Sequence, residues 1–183
     1  MESFQKNITV EEPAPYILTF PFLTPEFCSY ILKVCKNNNS WNPNKDDELY
    51  QTQDINFDEA FPSLFRTIST GFMQKIAPIV SKKFFTEVED PYSIFALKYC
   101  KEGQTMLPVH RDDSYISASI KLNNDYKGGE LIFPEHGFSN INTAIGDIIV
   151  WPGSITHPHG SYYLTEGEKY SITIWTPYPK IGT

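Results

Sequence analysis

The sequence predicts a mainly β chain with helices packed against its outside, a β-sandwich or jelly roll, and three observations carry that prediction. Apolar residues recur at helical spacing in two stretches between Pro25 and Ile79, whereas from Tyr92 onward short apolar and β-branched runs alternate with Gly, Pro and Asn turns. Two helices followed by closely spaced short strands place the helices outside the sheets. The 183 residues are 40% hydrophobic, with 13 Phe, 11 Tyr and 3 Trp, enough for one real core. Residues 1–183 therefore read as one domain, with helical support over about 23–85 and a β core over about 92–177.

The elements follow in order. Residues 1–22 are punctuated by Pro13, Pro15 and Pro21 around Tyr16–Phe20, which predicts one short strand. Thr24-Pro25-Glu26 combines a hydroxyl N-cap, a first-turn proline and an acid at a helix start. Phe27, Cys28, Ile31, Leu32 and Cys35 then mark one face of that helix, which ends near Asn37-Asn38-Asn39. A second helix begins after Pro62, with Leu64, Ile68, Phe72, Ile76 and Ile79 recurring about every four residues; Pro78 is expected to kink or end it. Strands are predicted over Ser93–Cys100 and Tyr115–Leu122. Gly128-Gly129 then suits a hairpin turn leading into Glu130–Phe133. Gly146-Asp147 turns the chain into Ile148–Trp151, Pro152-Gly153 closes that strand, and Lys169–Trp175 is the last.

Composition also excludes classes of function. A charged fraction of 20% with this aromatic content is neither disordered, collagen-like nor a charged coiled coil. No run approaches the roughly 18 apolar residues of a membrane span, and Met1–Lys6 lacks the basic start of a secretory signal, so no membrane partner is expected. A net charge of −7 argues against nucleic acid. The three cysteines, Cys28, Cys35 and Cys100, form no CxxC pair. Cys28 and Cys35 stand about 10 Å apart along a helix, too far to bridge. A reducing, cytoplasmic setting in a bacterial or virus-infected host cell is the expectation.

The chemistry concentrates among four histidines, His110, His136, His157 and His159. In His110-Arg111-Asp112 an imidazole and a carboxylate two apart on extended chain point to the same side, able to occupy adjacent positions on one metal. A distant histidine brought in by the sheet would complete the three-ligand face of a non-haem iron site. Alone the motif is weak, because two residue types at fixed spacing recur by chance. The last strand strengthens it. Lys169, Ser171, Thr173 and Trp175 share a face, and a lysine inside an apolar barrel is tolerable when a ligand's carboxylate arrives to pair with it. Ser171 can donate to the same carboxylate, and Tyr99 can add a phenol. Trp151 and Trp175 lie near that pocket, with core packing their expected role.

Read together, these runs resemble the 2-oxoglutarate- and Fe(II)-dependent dioxygenases, and within them the prolyl 4-hydroxylase-like group. The matching segments are Tyr99–Gly103, His110–Asp112, Leu122–Phe133, Gly146-Asp147, Pro152-Gly153 and Thr165–Trp175, with Leu23–Cys28 resembling the group's first-helix opening. The resemblance implies a double-stranded β-helix (jelly-roll) core, Fe(II), 2-oxoglutarate and O2, with ascorbate in a supporting role. It also implies hydroxylation of a prolyl residue in a peptide or protein, with succinate and CO2 released. A free amino acid or other small molecule as substrate, or a binding module of the same fold without turnover, are the alternatives. His110 and Asp112 match the first two iron ligands. The family spaces its last ligand ten residues before the basic residue that binds the far carboxylate of 2-oxoglutarate; ten before Lys169 is His159, which leaves His157 a supporting or loop role. Ser171 matches a hydroxyl on the same carboxylate. Lys121 falls where relatives often place a tyrosine, and is either a second inward ammonium or a solvated edge lysine. Two departures from the pattern are a one-residue longer spacing from Gly103 to His110 and Tyr162-Tyr163-Leu164 in place of a proline-valine pair. The polar 40–57 segment, with Trp41 and Tyr50, is expected to form either a peptide groove or lid over the sheet or simply a long surface loop.

Overall fold

The computed structural model describes residues 1–39, 41–43 and 52–180. Fourteen strands run as β1 (Glu11–Ala14), β2 (Ile17–Pro21), β3 (Asn42–Pro43), β4 (Gln53–Asn56), β5 (Ser93–Tyr99), β6 (Leu107–His110) and β7 (Ile116–Lys121), followed by β8 (Lys127–Gly128), β9 (Leu131–Phe133), β10 (Phe138–Ser139), β11 (Asp147–Pro152), β12 (His159–Ser161), β13 (Leu164–Glu166) and β14 (Lys169–Trp175). The helices are α1 (Pro25–Lys36), α2 (Phe57–Ala60), α3 (Pro62–Gly71) and α4 (Ala77–Phe84). Eight strands form a large sheet in the order β1-β2-β11-β7-β14-β5-β4-β3, and four form a smaller one in the order β10-β9-β12-β6; β13 and β8 pair beside them. Every pairing is antiparallel, the jelly-roll arrangement the sequence led us to expect.

Strand parity divides the large sheet into a dry face and a chemical face. Ile94 and Ala96 of β5, Ala118 and Ile120 of β7, Ile148 and Val150 of β11, and Ile172 and Ile174 of β14 join one buried cluster with Ile31, Cys35, Ile68, Phe72 and Val80 of the helical segments. The alternate residues of β14, Lys169, Ser171, Thr173 and Trp175, line a cavity on the opposite face. Because the side-chain period is two, one strand serves both the core and the site. A second cluster of Ile17, Leu131, Phe133, Ile149 and Trp151 fills the space between the sheets.

Several expected elements are present as read, and others differ for physical reasons. The Thr24 hydroxyl accepts from the Phe27 amide at 3.2 Å and caps α1, whose Pro25 sits in the first turn. The single strand expected around Tyr16–Phe20 is a hairpin, β1 with β2, turned at Tyr16 with a φ of 56°. Pro78 does not end the second helix: a π-helical segment over Phe72–Ile76 lengthens the turn before it, and the chain continues as α4 with Pro78 in its first turn. Gly128-Gly129 does not close a hairpin. Both have φ near 70°, and they carry the chain from the two-stranded β8–β13 sheet to the small sheet, so that β8 pairs with β13 and β9 with β12. All three cysteines are free and buried. Among the described residues no helix is long and apolar enough to cross a membrane.

Candidate metal centre

His110 ends β6 and His159 begins β12, and the two are direct cross-strand partners in the small sheet. That register joins two residues 49 positions apart in the chain and brings the rings to 4.6 Å between centroids. Asp112 follows just past β6, its amide donating to the Gly153 carbonyl at 3.1 Å. Its carboxylate oxygens lie 3.4 Å from His110 Nε2 and 3.4 Å from His159 Nε2. One donor atom from each residue falls within 4.8 Å of the others, a size that fits a single cation.

The ring orientations are held from behind. His110 Nδ1 lies 2.8 Å from the Pro108 carbonyl oxygen and His159 Nδ1 lies 3.0 Å from that of His157. A carbonyl can only accept, so each ring donates from Nδ1 and turns Nε2 toward Asp112. Asp112 Oδ2 is buried and, although 3.4 Å from His159 Nε2, makes no hydrogen bond among the described residues. Burial by itself would raise the Asp112 carboxyl, but the imidazoles of His110 and His159 facing it outweigh that and hold the group far below the usual carboxylate range. Burial pushes the His110 imidazole down, while Asp112 and the Pro108 carbonyl outweigh it and leave it raised. A carboxylate and two imidazoles converging in a buried space require a cation among them, either a proton or a metal, and two nitrogens with one oxygen donor suit Fe(II). Phe133 and Trp151 pack on the His159 ring at 5.5 and 4.7 Å and restrict its rotation.

A cavity of about 460 Å³ opens from this cluster into the space between the sheets. Lys169 sits deep within it, 4% exposed; its Nζ donates to Ser161 Oγ at 3.2 Å and lies 4.3 Å from the centre of the Tyr99 ring. Desolvation lowers the ammonium pKa to about 7, a large departure for a lysine. Tyr99 is the cross-strand partner of Lys169, and burial raises its phenol despite the Ser161 hydrogen bond, so it stays protonated and able to donate. Ser171 lines the same wall. The cavity therefore has lone-pair donors on the small sheet and a cation with hydroxyls on the large one, a pair of anchors for a ligand bearing a carboxylate.

Two expected roles fall elsewhere. Lys121 lies on the inward parity of β7 but does not line the cavity; its Nζ donates to the carbonyls of Thr143 at 2.9 Å and Asn140 at 3.4 Å. It is neither a second anchor nor a solvated edge lysine, because it is 9% exposed and tied to that loop. Trp41 does not face the cavity: its indole N–H donates to the Cys35 carbonyl and its ring meets Tyr170 edge-on, on the helical side of the sheet. Tyr50 lies outside the described residues. His157 has both ring nitrogens engaged, with Thr156 Oγ1 at 2.8 Å and the Pro15 carbonyl at 2.9 Å, and it stacks on His136; it stands apart from the metal cluster. Ser161 and Asp54 escaped the sequence reading, yet both line the cavity. Ser161 shares the parity of His159 two residues on, which was a usable signal; Asp54 needed the sheet order.

No family model matches the chain. It is 28% identical over 195 aligned residues to a 2-oxoglutarate and iron-dependent oxygenase domain-containing protein of Arabidopsis thaliana, covering 95% of this chain and 48% of that protein. It is 25% identical to a procollagen-lysine,2-oxoglutarate 5-dioxygenase of Drosophila melanogaster, covering 88% of this chain and 24% of that protein. The chain thus spans about half or less of the curated relatives it matches. Among solved structures, a viral collagen prolyl hydroxylase from Paramecium Bursaria Chlorella virus-1, in complex with 2-oxoglutarate, aligns with a TM-score of 0.66 at 16% identity, over 88% of this chain and 95% of that one. A Pseudomonas putida prolyl-4-hydroxylase aligns with a TM-score of 0.65 at 17% identity, over 93% and 92%. The structural likeness concerns the fold, and over most of its length the chain is similar in sequence to proteins named as 2-oxoglutarate- and iron-dependent oxygenases.

Proposed function

We propose that this chain hydroxylates a residue of a peptide or protein, a prolyl residue first, using Fe(II), 2-oxoglutarate and O2. The observation that carries the reading is the cross-strand pair His110–His159 closed by Asp112, opposite a buried Lys169 that has no carboxylate partner among the described residues. Relatives named for procollagen and a structural neighbour in complex with a hypoxia inducible factor peptide favour a polypeptide substrate over a free amino acid.

His110, Asp112 and His159 would hold Fe(II) on one face, their rings oriented by the carbonyls of Pro108 and His157. When bound, Fe(II) and 2-oxoglutarate supply the oxidation, in which one oxygen atom of O2 is placed in a substrate C–H bond and the other in succinate as CO2 leaves. Lys169 binds the far carboxylate of 2-oxoglutarate, with Ser171 and the Tyr99 phenol as further donors. Leu97, Phe95 and Trp175 give the cavity apolar walls that exclude water from the reacting centre.

The test is an anaerobic titration of the metal-stripped protein with Fe(II) and 2-oxoglutarate, followed through the visible metal-to-ligand charge-transfer band. The band is expected in the native protein and in His157→Ala, and is expected to be lost in His159→Ala and Asp112→Ala. No band in the native protein overturns the reading in favour of a binding module without turnover. Substrate-dependent succinate release, with a gain of one oxygen on proline in a peptide, tests the prolyl assignment.

A further inference from the structure

Three ionic groups line the cavity without a role in the proposed chemistry: Arg111 and Asp113, both exposed, with Arg111 tied to the Ile155 carbonyl, and Asp54. Asp54 lies in the middle of β4, opposite Leu97 of β5, and Leu97 in turn is opposite Ser171 of β14. Asp54, Leu97 and Ser171 therefore form one row across the chemical face of the large sheet, and all three line the cavity. Lys169 and Tyr99 form the adjacent row. Asp54 is half-buried, and its Oδ2 accepts from Thr52 Oγ1 at 2.8 Å. No ion pair joins Asp54 to a cation among the described residues. Burial raises its carboxyl, and the Thr52 hydroxyl only partly offsets that.

A partly desolvated carboxylate without a counter-ion is unfavourable to folding. Its persistence inside a cavity is explained when a ligand brings the positive charge, the same logic that makes Lys169 intelligible with a carboxylate. Asp54 and Lys169 are of opposite sign, and no ion pair joins them. Thr52, just before β4, and Asn56 at its end also line the cavity and add neutral hydrogen-bonding groups beside the carboxylate, while Leu97 and Phe95 offer apolar surface to an aliphatic stem.

We propose that Asp54 is a specificity-determining residue, and that the peptide entering this cavity presents a lysyl or arginyl side chain to it. This rests on the hydroxylase reading and narrows its substrate to polypeptides with a basic residue in the bound segment.

Equilibrium binding tests it on the Fe(II)- and 2-oxoglutarate-loaded protein under anaerobic conditions. Fluorescein-labelled (Gly-Pro-Lys)4 is compared with the same peptide carrying norleucine in place of lysine, and with one carrying glutamate. The lysyl peptide is expected to bind about tenfold or more tightly than the norleucyl one. In Asp54→Asn, which keeps the size and can still accept from Thr52, that ratio is expected to fall to near one, and in Asp54→Lys the glutamyl peptide is expected to become the preferred ligand. Wild-type protein that binds lysyl and norleucyl peptides alike, or binds neither, overturns the proposal, as does an unchanged ratio in Asp54→Asn. The charge-transfer band, read on the same samples, separates the two failures. A band without peptide discrimination removes only the role of Asp54, whereas absence of the band removes the hydroxylase reading itself.

Discussion

Lys169 shows how the site sets function against stability in a single side chain. In the unfolded chain its ammonium titrates near 10.4, and in the fold at about 7. Between those values the unfolded state binds more protons than the folded one, so this group's contribution to stability rises with pH from about 7 to about 10.4, and its penalty is fully present below 7. Lys169→Met is therefore expected to stabilise the protein at pH 6, by on the order of a few kcal/mol, read as a shift of the urea midpoint. The same variant should lose 2-oxoglutarate binding. In the native protein the affinity for 2-oxoglutarate should weaken as pH rises past about 7, because the lysine must first take up a proton to pair with the carboxylate. A pH-independent affinity measured by calorimetry would contradict that coupling.

Among the elements, the strands around the site depend on turns whose backbone permits no side chain. Gly146 has a φ of 89°, and a Cβ there would stand 2.2 Å from the Leu23 carbonyl oxygen. Its own amide donates to the Lys121 carbonyl, and its carbonyl accepts from Phe22 and Leu23, so one residue joins the end of β7, the end of β2 and the approach to α1. Gly146→Ala is expected to destabilise by about 2 kcal/mol or more. Thr24→Ala, which removes only the cap of α1, is expected to cost about 1 kcal/mol. Chemical denaturation of both variants checks the order; equal midpoints would mean the turn relaxes freely. Gly146-Asp147 was legible as a turn because glycine followed by aspartate before an apolar run has few other uses. The crossing at Gly128-Gly129 was not legible, because a hairpin and a sheet-to-sheet passage both need positive φ and differ only in which distant strand supplies the partner.

In the whole molecule, the metal cluster sits on the small sheet while the largest core lies between the helices and the opposite face of the large sheet. The fold should therefore stand without metal and gain from it by mass action. A divalent ion at about 100 times its dissociation constant would add roughly 2.7 kcal/mol and raise the melting temperature, and Asp112→Ala should show no such rise. A protein that unfolds outright on chelation would argue instead that the cluster is structural.

Local chemistry, by itself, determined the helix capped at Thr24, the parity of β14 and the His110–Asp112 pair, because capping, strand alternation and a two-residue spacing act within a few residues. The spacing to Lys169 already favoured His159 over His157, and the β6–β12 register sets it opposite His110. Two things were decided only by tertiary structure: the loop carbonyls of Asn140 and Thr143 drew Lys121 away from the cavity, and the sheet order carried Asp54 into it. Each of these depends on which remote backbone supplies a hydrogen-bonding partner. Short-range periodicity carries no information about that choice; it is set by the packing of two sheets against each other and of the helices against one of them.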